Sequence, residues 1–97
     1  MSDDQDPGFF ARADAVIGLA NTQLKDASRG KVSASLMYAT ARFNSWISAH
    51  GFESASEMAG AKDEALDYFV AEYRKMLEET LDDYIANSAN YMKPPDA

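Results

Sequence analysis

Cysteine is absent from this 97-residue chain, and histidine occurs only once. A chain without thiols forms no disulfide and no thiolate zinc site. The lone imidazole, His50, follows a predicted helix, where a cation interacts favourably with the helix dipole, and it has no second histidine to pair with. No nucleophile-elbow, P-loop or dinucleotide-binding glycine pattern occurs. These absences predict that the protein holds no metal and no cofactor. If it were an enzyme, it would need a metal or cofactor that the sequence does not reveal.

Long apolar runs are also missing, because none approaches the ~20 residues that a membrane span requires. The first six residues, Met1 to Asp6, are polar and acidic, whereas a signal peptide begins with a basic segment and continues with an apolar one. We therefore expect a soluble, cytoplasmic protein that has no membrane partner.

Positive charge is scarce in the second half of the chain. Residues 1–50 hold five Lys/Arg and five Asp/Glu, whereas residues 51–97 hold four and eleven, which accounts for the whole net charge of −7. Such a field repels nucleic acid, so we expect no nucleic-acid partner. Most of these carboxylates are interpreted as the solvated face of a helix, because catalytic pairs need two unlike environments in a cleft.

Helical periodicity is what the sequence does contain. Apolar residues recur at intervals of three and four, which predicts a first helix over 7–28 and a second over 32–49. Asp6 and Pro7 form a favourable helix start, and Gly30 is interpreted as the residue that ends the first helix. The short corner between the two helices favours antiparallel neighbours.

The third helix has the clearest start and the greatest length. Ser54 and Glu57 fit a capping box, and the apolar pattern then continues to about Tyr91, which predicts a helix over 55–91. Gly60 is a position where the first turns could kink. Pro94 and its neighbour end the pattern.

These signals together predict an all-α fold, an antiparallel three-helix bundle with a long third helix that self-association completes. One helical domain is expected over 7–92, between an N-terminal tail at 1–6 and a C-terminal tail at 93–97.

The third helix is too long for its neighbours to cover. At 1.5 Å per residue it would span about 50 Å, against about 33 Å and 27 Å for the others. A kink or a folded-back end would shorten this excess, but we favour a third outcome, in which the far end packs against a second copy, preferably as a dimer, or against another protein. The predicted partner surface consists of Leu77, Leu81, Tyr84, Ile85 and Tyr91.

Polar residues within the apolar helices form a second candidate site. They lie on the first and second helices: Asp14, Asn21, Arg42 and Asn44. One interpretation is a buried polar network that fixes helix register, since buried polar groups must be satisfied. The other is a small pocket for a polar ligand between these helices.

A basic corner lies between the first two helices, at Lys25, Arg29 and Lys31. Helix C-termini attract cations, and a DNA-reading second helix would need more basic residues than Arg42. An acidic partner, such as the third helix of another copy, therefore fits the corner better than DNA.

Two stretches carry a family resemblance: Arg29-Gly-Lys-Val-Ser-Ala-Ser with Tyr38-Ala-Thr-Ala-Arg-Phe-Asn44, and Tyr73-Arg-Lys-Met-Leu-Glu-Glu-Thr-Leu-Asp-Asp-Tyr84. Over about residues 9 to 92 the chain resembles a family of short proteobacterial proteins described as a domain of unknown function. The resemblance implies an origin and a helical fold but no reaction. It also implies that a site would be sought where the two stretches meet, at Arg29, Lys31, Tyr38, Arg42, Asn44 and Tyr73.

The leading hypothesis is a non-catalytic helical interaction or structural protein that self-associates through the C-terminal part of the third helix. The alternative is a binding module for a small polar ligand. An enzyme with an unseen metal or cofactor ranks third, and an acidic mimic of nucleic acid fourth.

Overall fold

The computed structural model describes residues 6–91, with the backbone alone at Tyr91. Within that range all regular structure is helical, and no strand occurs, so the predicted all-α class is confirmed. In chain order the helices are α1 (Phe9–Gln23), α2 (Arg29–Ala49), α3 (Ala55–Gly60), α4 (Lys62–Ala86) and α5 (Ser88–Tyr91).

The helices fall into two units, Met1–Ala49 and His50–Ala97. The first unit contains α1 and α2, which contact each other, and the second contains α3, α4 and α5. The antiparallel three-helix packing and the single domain stay predictions. Of the predicted tails, 93–97 and all of 1–6 except Asp6 lie outside the described residues.

Asp6 lies close to the start of α1, but the helix begins at Phe9 with Gly8 as its N-cap, two residues later than predicted. The Asp6 carboxylate accepts a hydrogen bond from the Gly8 N–H at 3.3 Å, and its carbonyl accepts one from the Phe9 N–H at 3.1 Å. The same carboxylate forms an ion pair with Arg12. A carboxylate at the positive end of a helix satisfies donors that have no partner inside the helix, so this start is stabilised locally.

The junction between the first two helices differs from the prediction. The first helix ends at Gln23 rather than at 28, and the second begins at Arg29 rather than at 32. Ser28 is the reason, because its hydroxyl accepts a hydrogen bond from the Lys31 N–H at 3.3 Å and so caps α2. Gly30, interpreted as a stop signal, lies inside the first turn of α2.

The predicted capping box at the start of the third helix is present in α3. The Ser54 hydroxyl accepts a hydrogen bond from the Glu57 N–H at 3.0 Å. The Glu57 carboxylate returns to accept from the Glu53 N–H at 2.8 Å, one residue earlier than the usual partner. Both bonds satisfy backbone donors at the helix start. Because the side chains themselves form these bonds, the residue types at 54 and 57 are enough to predict this helix boundary.

The predicted third helix over 55–91 is divided into three, with interruptions at Ala61 and at Asn87. The first interruption follows Gly60, the position where the sequence allows a kink. Gly60, a poor helix former, is the last residue of α3. At the second break, the Asn87 side chain donates to the Asp83 carboxylate at 2.9 Å, a local bond that competes with regular helix geometry. The 25 residues of α4 between the breaks still span about 37 Å.

Little of the apolar surface is covered in the described range. Among residues 6–90, Val32 is the only buried hydrophobic side chain, at 7% exposure, and Leu36 one turn later is half-buried. Both lie in the first two turns of α2. The large apolar side chains that remain exposed occur in both units: Phe10, Val16, Ile17, Leu19, Leu24, Met37, Tyr38, Phe43, Trp46, Ile47, Leu66, Tyr68, Val70, Tyr73, Met76, Leu77, Leu81, Tyr84 and Ile85.

Candidate functional site

The predicted partner surface lies on the C-terminal half of α4. Leu77, Leu81, Tyr84 and Ile85 are 40%, 52%, 49% and 74% exposed. Their spacing places them along one side of the helix, because residues three and four apart are neighbours on a helix surface. The fifth predicted member, Tyr91, belongs to α5, and its side chain lies outside the described residues.

The apolar residues of α4 form two faces, whereas the sequence suggests one broad stripe. Ala65 and Phe69 are half-buried and lie one turn apart. Leu66, Val70 and Tyr73 follow an adjacent line on the helix and are all exposed, with Val70 at 63%. The second face continues into the predicted partner surface, so the exposed stripe extends along most of α4.

Carboxylates flank the exposed stripe of α4, and Glu78 neighbours Leu81, three residues later. Glu78, Glu79 and Asp82 line a shallow, solvent-open depression together with Lys75. The Lys75 ammonium contacts the Glu72 carboxylate at 2.8 Å, one turn back. This hydrogen bond, with the attraction between the two charges, raises the pKa of Lys75 above its ordinary value. The ammonium therefore stays protonated further into alkaline pH.

No group of three or more His, Cys, Asp or Glu side chains suited to a metal ion occurs within residues 6–91. Over the same residues, no helix is both long enough and apolar enough to cross a bilayer.

The predicted polar set lies along α1 and α2. Asp14, Asn21 and Arg42 are exposed, and Asn44 is half-buried. The Arg42 guanidinium lies 6.0 Å from the centre of the Tyr38 ring, and its Nη1 is 3.5 Å from the Tyr38 hydroxyl. A shared network or ligand pocket among the four polar residues stays a prediction.

The predicted basic corner occupies the turn after α1 and the first turn of α2. Lys25, Arg29 and Lys31 are all exposed, and none forms an ion pair within the described part of the chain. Because α2 begins at Arg29, two of these cations lie at a helix N-terminus, where the dipole is positive. Attraction to a helix C-terminus therefore does not explain Arg29 and Lys31, which corrects the sequence-based rationale for these two, whereas Lys25 does follow the C-terminal end of α1.

The residues that the family resemblance singles out are divided between two helices. Arg29, Lys31, Tyr38, Arg42 and Asn44 lie on α2, and the sixth residue, Tyr73, lies on α4. Tyr73 belongs to the exposed stripe of α4, and it is the one member of the six that does.

Comparison with known proteins identifies relatives without an assigned activity. The family described as "Protein of unknown function (DUF3144)" matches residues 9–85. The NMR structure of the protein NB7890A from Shewanella sp is 41% identical and covers 87% of this chain and 90% of that chain, with a TM-score of 0.75. No curated protein matches the chain. The predicted resemblance is confirmed, its bacterial origin is supported by the Shewanella protein, and the chain belongs to the family of unknown function DUF3144.

Proposed function

We propose that this protein is a non-catalytic helical interaction protein that associates with a second copy of itself through the C-terminal half of α4. The observation that carries the proposal is the exposure of Leu77, Leu81, Tyr84 and Ile85 on one side of that helix. Soluble monomers rarely leave contiguous apolar surface of this kind in water. Covering it with the same surface of a second copy removes both exposed patches at once.

Composition supports a role in binding rather than in catalysis. The chain has one histidine and no cysteine, so the Cys–His and multiple-histidine arrangements of many active sites are absent. The carboxylates Glu78, Glu79 and Asp82 share one solvent-open environment. Acid–base chemistry needs carboxyl groups whose environments push their pKa values apart, which such a surface does not favour.

The proposal is tested by light scattering of the full chain from micromolar to millimolar concentration, beside the variant Leu77→Glu. We expect a dimer for the unchanged chain. Each buried leucine is worth about 1.5 kcal/mol or more, and a symmetric dimer loses two, so Leu77→Glu should raise the dimer Kd about 100-fold.

The matched control is Lys75→Gln, which changes the net charge by the same amount but lies on the opposite side of α4. It should leave the dimer Kd nearly unchanged, because an exposed ion pair contributes little. A strict monomer at millimolar concentration would overturn the proposal. Equal weakening by the two variants would overturn it too, since general charge repulsion would then explain the loss.

A further inference from the structure

The exposed stripe of α4 has a spacing that distinguishes it from an ordinary amphipathic face. Leu66, Val70, Tyr73 and Leu77 are separated by alternating intervals of four and three residues, and Tyr84 continues the series. All five are exposed. An average interval of 3.5 residues is the repeat of a coiled-coil seam, in which side chains of two paired helices interdigitate.

The half-buried side chains of α4 occupy other positions of the same repeat. Ala65, Phe69 and Glu72 each precede a member of the seam by one residue and so lie on the adjacent face. The apolar seam residues are each at least 40% exposed, so a second helix has room to pack along them.

Thr80 fills the one position of the seam that is not strongly apolar. Its hydroxyl donates to the Met76 carbonyl at 3.0 Å and lies 3.1 Å from the Leu77 carbonyl. A buried hydroxyl without a partner is costly, but this one is satisfied within its own helix. Thr80 can therefore be covered by a partner helix without leaving an unpaired polar group.

The charges along α4 determine which way a partner helix should run. Residues 62–75 hold three cationic and four anionic side chains, whereas residues 76–86 hold four anionic side chains and no cation. A parallel pair would place the two acidic halves side by side. An antiparallel pair sets each acidic half beside the nearly neutral half of the other copy and also aligns the helix dipoles favourably.

We propose that α4 pairs with α4 of a second copy as an antiparallel coiled coil whose centre lies at Lys75. In this register Leu66 faces Tyr84 of the second copy, Val70 faces Thr80, and Tyr73 faces Leu77. Leu81 and Ile85 each follow a seam position by one residue and so lie at the edge of the seam. The inference rests on the proposed self-association and adds its orientation, its register and the extension of the interface to the N-terminal half of α4.

The absence of cysteine makes the register directly measurable. Full-length Val70→Cys and Thr80→Cys are mixed in equal amounts, with one of them labelled with nitrogen-15, and oxidised under mild conditions. A disulfide requires Cβ atoms about 4 Å apart, so we expect almost only mixed disulfide dimers by intact mass. Glu79→Cys mixed with Val70→Cys is the control, and it should remain uncrosslinked because residue 79 lies on the far side of α4 from the seam.

Disulfide dimers of Val70→Cys with itself would establish the parallel arrangement and overturn the inference. Light scattering of the reduced mixture separates the remaining outcomes. A dimer that forms no mixed disulfide overturns this register while leaving self-association intact, whereas a monomer overturns both.

Discussion

The two long helices, α2 and α4, are stabilised in opposite ways. α2 holds the buried Val32, yet its first turn carries cations at the positive end of the helix dipole. α4 has no buried residue, but Asp63 and Glu64 in its first turn complement the dipole. Packing therefore fixes α2 despite unfavourable local charge, whereas local interactions favour α4 and leave its apolar stripe available for a partner. Truncating one valine in each helix tests that contrast directly, and changes to caps and first-turn charges sharpen it.

The largest effect is expected from valine truncation. Val32→Ala should lower the free energy of unfolding by about 2 kcal/mol, because the buried side chain leaves a cavity. Val70→Ala, at 63% exposure, should cost less than about 0.5 kcal/mol when measured by chemical denaturation at a concentration where the chain is monomeric. Equal losses would show that Val32 is no better packed than a surface residue.

Repeating the valine pair at high concentration sharpens the same comparison. In a dimer built on the α4 seam, Val70 is buried, so Val70→Ala should then become destabilising while the effect of Val32→Ala stays the same. A loss for Val70→Ala that does not depend on concentration would contradict the partner surface.

A smaller effect is expected at the serine that caps α2. Ser28→Ala should lower the free energy of unfolding by about 1 kcal/mol, since the Lys31 N–H loses its acceptor. The control is Ser35→Ala, an exposed position inside the same helix, where alanine is the better helix former and stability should hold or rise slightly. Thermal unfolding of the two variants compares them directly. A harmless Ser28→Ala would mean that α2 begins elsewhere.

Some helix starts were predictable from sequence and one was not, for a physical reason. The Ser54–Glu57 pair marks a helix start through side chains that accept backbone hydrogen bonds, and Asp6 indicates a start near Phe9, although two residues too early. Ser28 also accepts a backbone hydrogen bond, but Lys31 stands where a capping box has an acid, and the following Gly30 is also typical of a helix end. Ser28, Gly30 and Lys31 are thus compatible with both the end of one helix and the start of the next. The hydrogen bond from the Lys31 N–H to the Ser28 hydroxyl shows that they start α2, and residue types alone do not predict that bond.

The candidate surface was predictable in part. Apolar periodicity places Leu77 and Leu81 on one side of a helix, and the structure leaves both exposed. Periodicity alone could not divide the apolar residues into a half-buried face and an exposed one, because both satisfy three-and-four spacing. The 3.5-residue repeat through Val70 and Thr80 is present in the sequence, but the apolar residues of the adjacent face, such as Phe69, overlap it and make the two faces look like one stripe.

The smallest effect is expected from exchanging charge in the first turns. Lys31→Glu should stabilise α2 by about 0.5 kcal/mol, because the new carboxylate complements the dipole and completes a capping box with Ser28. The reciprocal change, Asp63→Lys in α4, should cost a similar amount, and both effects should shrink at high salt. If Lys31→Glu does stabilise the protein, the natural lysine weakens the helix it begins. The stability of the folded chain would then not explain why a lysine occupies position 31. A higher dimer Kd in Lys31→Glu would indicate that the Lys31 ammonium contacts the acidic surface of a second copy.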